Sequence, residues 1–230
     1  VSRILIIQHE QPTPPGHVAA WFIERGFATE TWRIDLDARP RPHGHYAAVV
    51  SLGSEFGAWD DSVPFVSVEL AWLTRALELE LPVLGICFGG QLLARALGGR
   101  VFRAERAEIG WLEVRTRVPE LVPSGPWFQW HFDTFTVPDG AALLAESDVG
   151  PQAFRAGRSL GLQFHPEVTM AIMDDWIATY PHELAAEGVD PGELLAETKR
   201  QVERSERDAE VILTGFVREI AGIAPEEHAR

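Results

Sequence analysis

Short β-branched and aliphatic runs alternate along the chain with stretches in which apolar residues return every three or four positions. Residues 3–8 (RILIIQ) form a hydrophobic run between polar ends, the pattern of a strand covered on both faces. Pro12, Pro14, Pro15 and Gly16 mark a loop, after which Val18, Trp21 and Phe22 recur at helical spacing within residues 17–25. Residues 28–34 predict a second strand and residues 46–52 a third, separated by a loop rich in Pro, Gly and His. An amphipathic helix is expected over 66–79 and a fourth buried strand over 82–86. Residues 88–97 predict a helix stopped by Gly98 and Gly99.

Beyond Arg100 the periodicity changes. The runs at 100–103, 110–117, 127–137 and 153–163 are β-type, with turns between them, and predict strands of mixed direction. Helical spacing returns at 168–179 and again at 191–220, where a polar middle (199–208) marks a solvated stretch. Strands alternating with helices in this way imply βαβ units. The expected fold is therefore α/β: an open, mostly parallel sheet with helices on both faces. One domain is expected over 1–180, with a helical extension over 181–230 packed on it; a subunit contact is the alternative role for that helix.

Composition narrows the partners. A formal net charge of −14 without any block of Lys or Arg argues against a nucleic-acid backbone. No apolar run approaches the roughly 20 residues that cross a bilayer, so no membrane partner is expected. The opening run lacks the cleavage pattern of a secretory leader, which gives a cytoplasmic expectation. The single cysteine, Cys87, has no partner for an intramolecular disulfide. It is either a buried filler or a nucleophile. His43 and His45 could pair on a metal, but no Cys or acidic cluster completes a set, and no metal site or cofactor is expected. A Walker-type phosphate loop is absent from the sequence.

The segment at 82–97, PVLGICFGGQLLARAL, carries the most chemistry. A buried strand runs through Gly85, Ile86 and Cys87 straight into a helix. The thiol then sits at a tight turn beside the positive end of the helix dipole, where backbone N–H groups can stabilise a thiolate or receive an oxyanion. A thiol nucleophile also needs an imidazole and a group to orient it. Among eight histidines, His165 stands at a predicted strand end because Pro166 stops the run GLQF, and Glu167 is placed to hold its ring. An ordinary loop-edge histidine beside a surface carboxylate is the other reading of His-Pro-Glu.

GICFGGQ and LQFHPE together resemble the two signature regions of the class I (triad-type) glutamine amidotransferases in sequence, order and separation. Within that family the chain looks most like the amidase domain of GMP synthase and its free-standing relatives, over about residues 1–180. The resemblance implies a flavodoxin-like sheet and a Cys87, His165 and Glu167 triad. It further implies an oxyanion hole from the backbone of Phe88 and the loop containing Gly53 and Ser54, with Gln91 helping to bind glutamine. His131, within Trp130-His131-Phe132-Asp133, would stand on the substrate side, or else pack among aromatics. Two departures follow: the usual Gly-Gly-Pro type of loop reads Leu52-Gly53-Ser54-Glu55, and Gly90 replaces a larger side chain, which implies a wider pocket.

The implied activity is release of ammonia and glutamate from glutamine, with an ammonia-accepting synthetase subunit expected on another chain. A γ-glutamyl amide or peptide hydrolase using the same triad is the second expectation. A binding protein that keeps the fold is the third, disfavoured because all three triad residues are present.

Overall fold

The computed structural model describes residues 2–224; positions 225–230 of the expected extension lie outside them. The elements, in chain order, are β1 (Arg3–Gln8), α1 (Gly16–Glu24), β2 (Ala28–Arg33), β3 (Ala48–Ser51), α2 (Pro64–Glu78), β4 (Val83–Ile86) and α3 (Phe88–Ala96). There follow β5 (Val101–Leu112), β6 (Arg115–Thr116), β7 (Trp127–Phe135), β8 (Ala142–Glu146), β9 (Pro151–Ala156) and β10 (Ser159–Leu162). The chain then enters α4 (Met170–Thr179), α5 (Pro181–Ala186) and α6 (Pro191–Gly215), and a π turn covers Phe216–Ile220.

The principal sheet has eight strands in the order β2-β1-β3-β4-β10-β9-β8-β6. The strands from β2 to β10 pair in parallel, and β9, β8 and β6 extend the edge antiparallel. Period-two alternation within β1 sends Ile4 and Ile6 to one face and Leu5 and Ile7 to the other. The first face packs Val18 and Phe22 of α1 and Ile212 and Leu213 of α6. The second packs Trp72 and Leu73 of α2 and Leu92 and Leu93 of α3. Helices on both faces explain why the strands read as continuous apolar runs. A separate ribbon pairs β5 with β7, and its Phe128 joins Ile172, Met173 and Trp176 of α4 in a third cluster.

The helix termini follow local chemistry. Thr169 caps α4 by accepting from the Ile172 N–H at 3.2 Å, and Asp190 caps α6 by accepting from the Glu193 N–H at 2.8 Å, with Pro191 following. The long α6 has its first half against the third cluster through Leu194 and its second half against the sheet. Trp127 and Phe164, both fully buried, stack at 4.6 Å with a 16° interplanar angle. Truncation there leaves a void that close-packed neighbours fill only in part, so Phe164→Ala is expected to lower stability by about 3–5 kcal/mol. The urea midpoint measures this; an unchanged midpoint would show that the aromatic stack adds little.

Three sequence expectations change in detail. The run at 153–163 is not one strand: positive φ (54°) at Gly157 turns it into the β9–β10 hairpin. The runs at 100–103 and 110–117 join into the single long β5, whose pairing shifts between Arg103 and Glu108, while β6 takes only two residues. The strand β8 arises where the sequence showed no pattern, held between its neighbours in the sheet, and the short helix α5 opens the expected extension with Pro181 in its first turn. Among the described residues no helix is long and apolar enough to cross a membrane.

Candidate functional site

The carboxyl ends of β1, β3, β4 and β10 meet on one edge of the sheet, where open α/β sheets hold their ligands. Cys87 follows β4 directly and serves as the N-cap position of α3. Its backbone has φ 50° and ψ −108°, a conformation that a non-glycine residue rarely adopts and that costs on the order of 1–3 kcal/mol. Two hydrogen bonds secure the turn: the Cys87 N–H donates to the Leu162 carbonyl at 2.8 Å, and the Gln91 N–H donates to the Cys87 carbonyl at 2.9 Å. The helix starts so close to the sheet that a Cβ at Gly89 would stand 2.2 Å from the Ser51 carbonyl oxygen. One at Gly90 would stand 2.3 Å from that of Leu162. Gly90 therefore faces β10 and does not widen the pocket, which corrects the sequence expectation; a side chain there would strike backbone.

His165 follows β10 and reaches the same place. Its Nδ1 lies 2.7 Å from Glu167 Oε1, and both side chains are buried. Its Nε2 is buried without a hydrogen-bond partner of standard geometry. Burial disfavours the imidazolium, but the Glu167 carboxylate and then Cys87 outweigh it, so the affinity of His165 for its proton is raised. Gly53 stands beside both residues: a Cβ there would lie 3.0 Å from His165 Cε1 and 3.8 Å from Cys87 Cβ.

A pocket of about 270 Å³ opens over this cluster, and Gly53, Ser54, Phe88, Gln91 and His131 all line it together with Cys87 and His165. The Phe88 N–H belongs to the first helical turn, which has no intrahelical acceptor. Ser54 Oγ donates to Glu10 Oε2 at 3.0 Å, and among the described residues the Ser54 N–H takes no internal acceptor. The Gln91 amide nitrogen is occupied, donating to the Asp133 carbonyl and to Gln163 Oε1, each at 3.1 Å. It thus braces α3 against β7 and the end of β10. His131 Nδ1 donates to the Asp133 carbonyl at 3.0 Å, and Nε2 lies 3.0 Å from Glu108 Oε2 without hydrogen-bond geometry. His43 does not line this pocket; it stacks on Trp72 at 4.2 Å, with Nε2 3.0 Å from the Trp72 carbonyl.

Two further residues stand at the site: Gln163, given no role in the sequence, and Asp133, which ends the Trp130-His131-Phe132-Asp133 stretch. The buried Gln163 donates from Nε2 to Cys87 Sγ at 3.6 Å. Its signal was available, since it lies two positions before His165 in the run that Pro166 stops. Asp133, 9% exposed, lines the pocket; its Oδ2 accepts from Trp59 Nε1 at 2.9 Å. Its Oδ1 has no hydrogen-bond donor among the described residues, Arg103 Nη1 standing off at 3.8 Å.

A thiol on a strained turn, an imidazole with one free nitrogen and a carboxylate behind it, on an open α/β sheet, define a site able to perform nucleophilic acyl transfer. Residues 21–178 match the family model of class-I glutamine amidotransferases. The chain belongs to that family. Its structure superposes on a glutamine amidotransferase from Thermotoga maritima with a TM-score of 0.87 at 32% identity, covering 95% of this chain and 99% of that one. A glutamine amidotransferase from Methylobacillus flagellatus gives 0.87 at 27% identity over 100% and 98% of the two chains. A GMP synthase (glutamine-hydrolyzing) from Thermus thermophilus is 41% identical over 156 residues, 58% of this chain and 29% of that protein. The chain thus spans less than a third of the length of the curated GMP synthases it matches first.

Proposed function

We propose that the chain hydrolyses the side-chain amide of glutamine through a thioester on Cys87. The observation that carries this reading is Glu167 behind His165, with His165 and Cys87 lining one pocket and His165 Nε2 left free. In the first half-reaction Cys87 Sγ bonds to the amide carbon while its proton passes to His165 Nε2. His165 returns that proton to the departing nitrogen, which leaves as ammonia. Water then attacks the thioester with His165 accepting its proton, the C–S bond breaks, and glutamate and the thiol are released. Glu167 keeps the proton on Nδ1 and the ring in register. The Phe88 and Ser54 N–H groups are the donors for the oxyanion, and Gln163 Nε2 supports the sulfur when it carries charge. The ammonia goes to a synthetase, a partner suggested by the similarity to GMP synthases.

Asp133, which lines the pocket and whose Oδ1 accepts no hydrogen bond among the described residues, is the group for the α-ammonium of glutamine. Asp133→Asn is expected to raise KM roughly 10-fold or more, the loss of a charge-assisted hydrogen bond, with a smaller effect on kcat. Equal KM values for variant and wild type would remove Asp133 from this role.

A second reading is a γ-glutamyl amide or peptide hydrolase. It is favoured by the exposed rings of Phe56 and Trp59 at the pocket rim, which suit a leaving group larger than ammonia. Glutamate release from glutamine and from a panel of γ-glutamyl dipeptides tests both readings. Faster turnover of glutamine supports the first; preference for a dipeptide replaces it with the second; absence of turnover with every substrate, alone or with the candidate synthetase, rejects both.

A further inference from the structure

The oxyanion loop of this chain lacks proline, yet it is held from behind by residues at the end of β1. His9 is fully buried, and its Nδ1 lies 3.0 Å from the Gly53 carbonyl oxygen. A carbonyl only accepts, so Nδ1 carries a proton. The other ring nitrogen, Nε2, lies 2.6 Å from Oε2 of the fully buried Glu69 of α2, and Ser51 Oγ donates to Glu69 Oε1 at 2.6 Å. The His9 ring also meets the Phe88 ring edge to face at 4.5 Å, so it touches both sides of the proposed oxyanion hole. The next residue, Glu10, accepts from the Glu55 N–H at 2.8 Å and from Ser54 Oγ at 3.0 Å.

We infer that His9, seated on Glu69, is a positioning residue that pins the Gly53–Ser54 peptide and so aims the Ser54 N–H into the pocket. In a trans peptide the carbonyl and the N–H point in opposite directions. Gly53 and Ser54 line the pocket, whereas His9 does not. With the carbonyl tied back to His9, the Ser54 N–H faces the side on which Cys87 and His165 lie. The clamp replaces with tertiary hydrogen bonds the stiffness that a proline would give the loop. Burial of an imidazole and a carboxylate with no catalytic contact is costly unless both are paired, and here every nitrogen and oxygen of the pair has a partner. Burial opposes charge on His9, but Glu69 foremost and then Glu10 prevail, and its proton affinity is raised, which keeps the ring a donor.

The inference rests on the reading that the loop supplies an oxyanion donor, and the test separates the two. In His9→Gln the side-chain amide nitrogen falls near the position of Nε2 and keeps Glu69 but loses Gly53. In His9→Asn it falls near Nδ1 and keeps Gly53. Steady-state turnover, alkylation of Cys87 by iodoacetamide and hydrogen exchange of the 53–56 segment are measured on both variants. Alkylation displaces iodide at a saturated carbon and forms no oxyanion, so it reports the thiol and its access alone.

Loss of one oxyanion donor predicts that kcat of His9→Gln falls about 100-fold with KM and alkylation unchanged. Exchange at 53–56 should quicken in this variant, and His9→Asn should recover most of both effects. Wild-type turnover and exchange in His9→Gln would overturn the clamp. So would equal losses of turnover and alkylation in both variants, which mark general structural damage. A wild-type chain without any Cys87-dependent turnover would reject the proposed function, and the exchange of the 53–56 segment would then decide the clamp by itself.

Discussion

Replacing Cys87 with alanine is expected to lower kcat for glutamine by about 10⁶-fold, the scale seen when the nucleophile of a triad is deleted. The reason is that no other group can take its place. Cys87 is the single cysteine, and its sulfur sits on a strained turn beside the first-turn amides of α3. Removing one sulfur atom from a small buried side chain leaves the turn's hydrogen bonds to Leu162 and from Gln91 in place, so the variant should fold. Iodoacetamide should label one site per wild-type chain and none in Cys87→Ala. Folded Cys87→Ala protein that still turns over at more than a trace of the wild-type rate would reject the thioester mechanism, since the pocket would then be activating water directly.

Glu167→Gln is expected to cost roughly 10³–10⁴-fold in kcat, because the amide can accept only weakly and can force the wrong tautomer on the imidazole. It should also move the pH dependence, and the sign follows from the environment of His165. Burial pushes its pKa down, while Glu167 and Cys87 push it up and prevail. In the proposed mechanism Cys87 and His165 share one proton, which the ring delivers to the departing nitrogen, so activity falls as pH rises through the raised pKa at which the pair loses it. Without the Glu167 carboxylate a main upward contribution is gone, and the alkaline limb of kcat/KM should shift to lower pH. A profile with the alkaline limb in its original place would show that Glu167 serves only to hold the ring. The two variants together distinguish chemistry from geometry: Cys87→Ala removes the bond-forming atom, and Glu167→Gln leaves the atom count and shape almost intact.

Much of this site is legible in order along the chain. Cys87 can be read because a buried strand, a turn of small residues and a helix are consecutive, and a helix N-terminus always presents free N–H groups. His165 and Glu167 can be read because they flank Pro166, which stops the run GLQF, although β10 itself ends at Leu162. Glu69 could have been found: it sits at the spacing of Phe65, Trp72 and Ala76, on the helix face that is otherwise apolar, and a lone carboxylate there must have a buried partner. Its partner, His9, is 60 positions away, and no periodicity connects the two. The π turn that ends α6 had no local signal either, because its residues continue the helical apolar spacing.

The alternation of strands and helices, the apolar faces each would bury and the strand-to-helix elbow are readable along the chain, because they depend on side chains a few positions apart. The sequence also carried the family's two signature segments. That β1, β3, β4 and β10 end side by side is visible in the folded chain alone. That order brings His9 to the Gly53 carbonyl, Gln163 to the sulfur and Asp133 to the pocket, and turns Gly90 toward β10. Such contacts depend on strand order and on crossovers between distant elements. Hydrophobic periodicity specifies which face of a strand is buried but not which strand lies beside it.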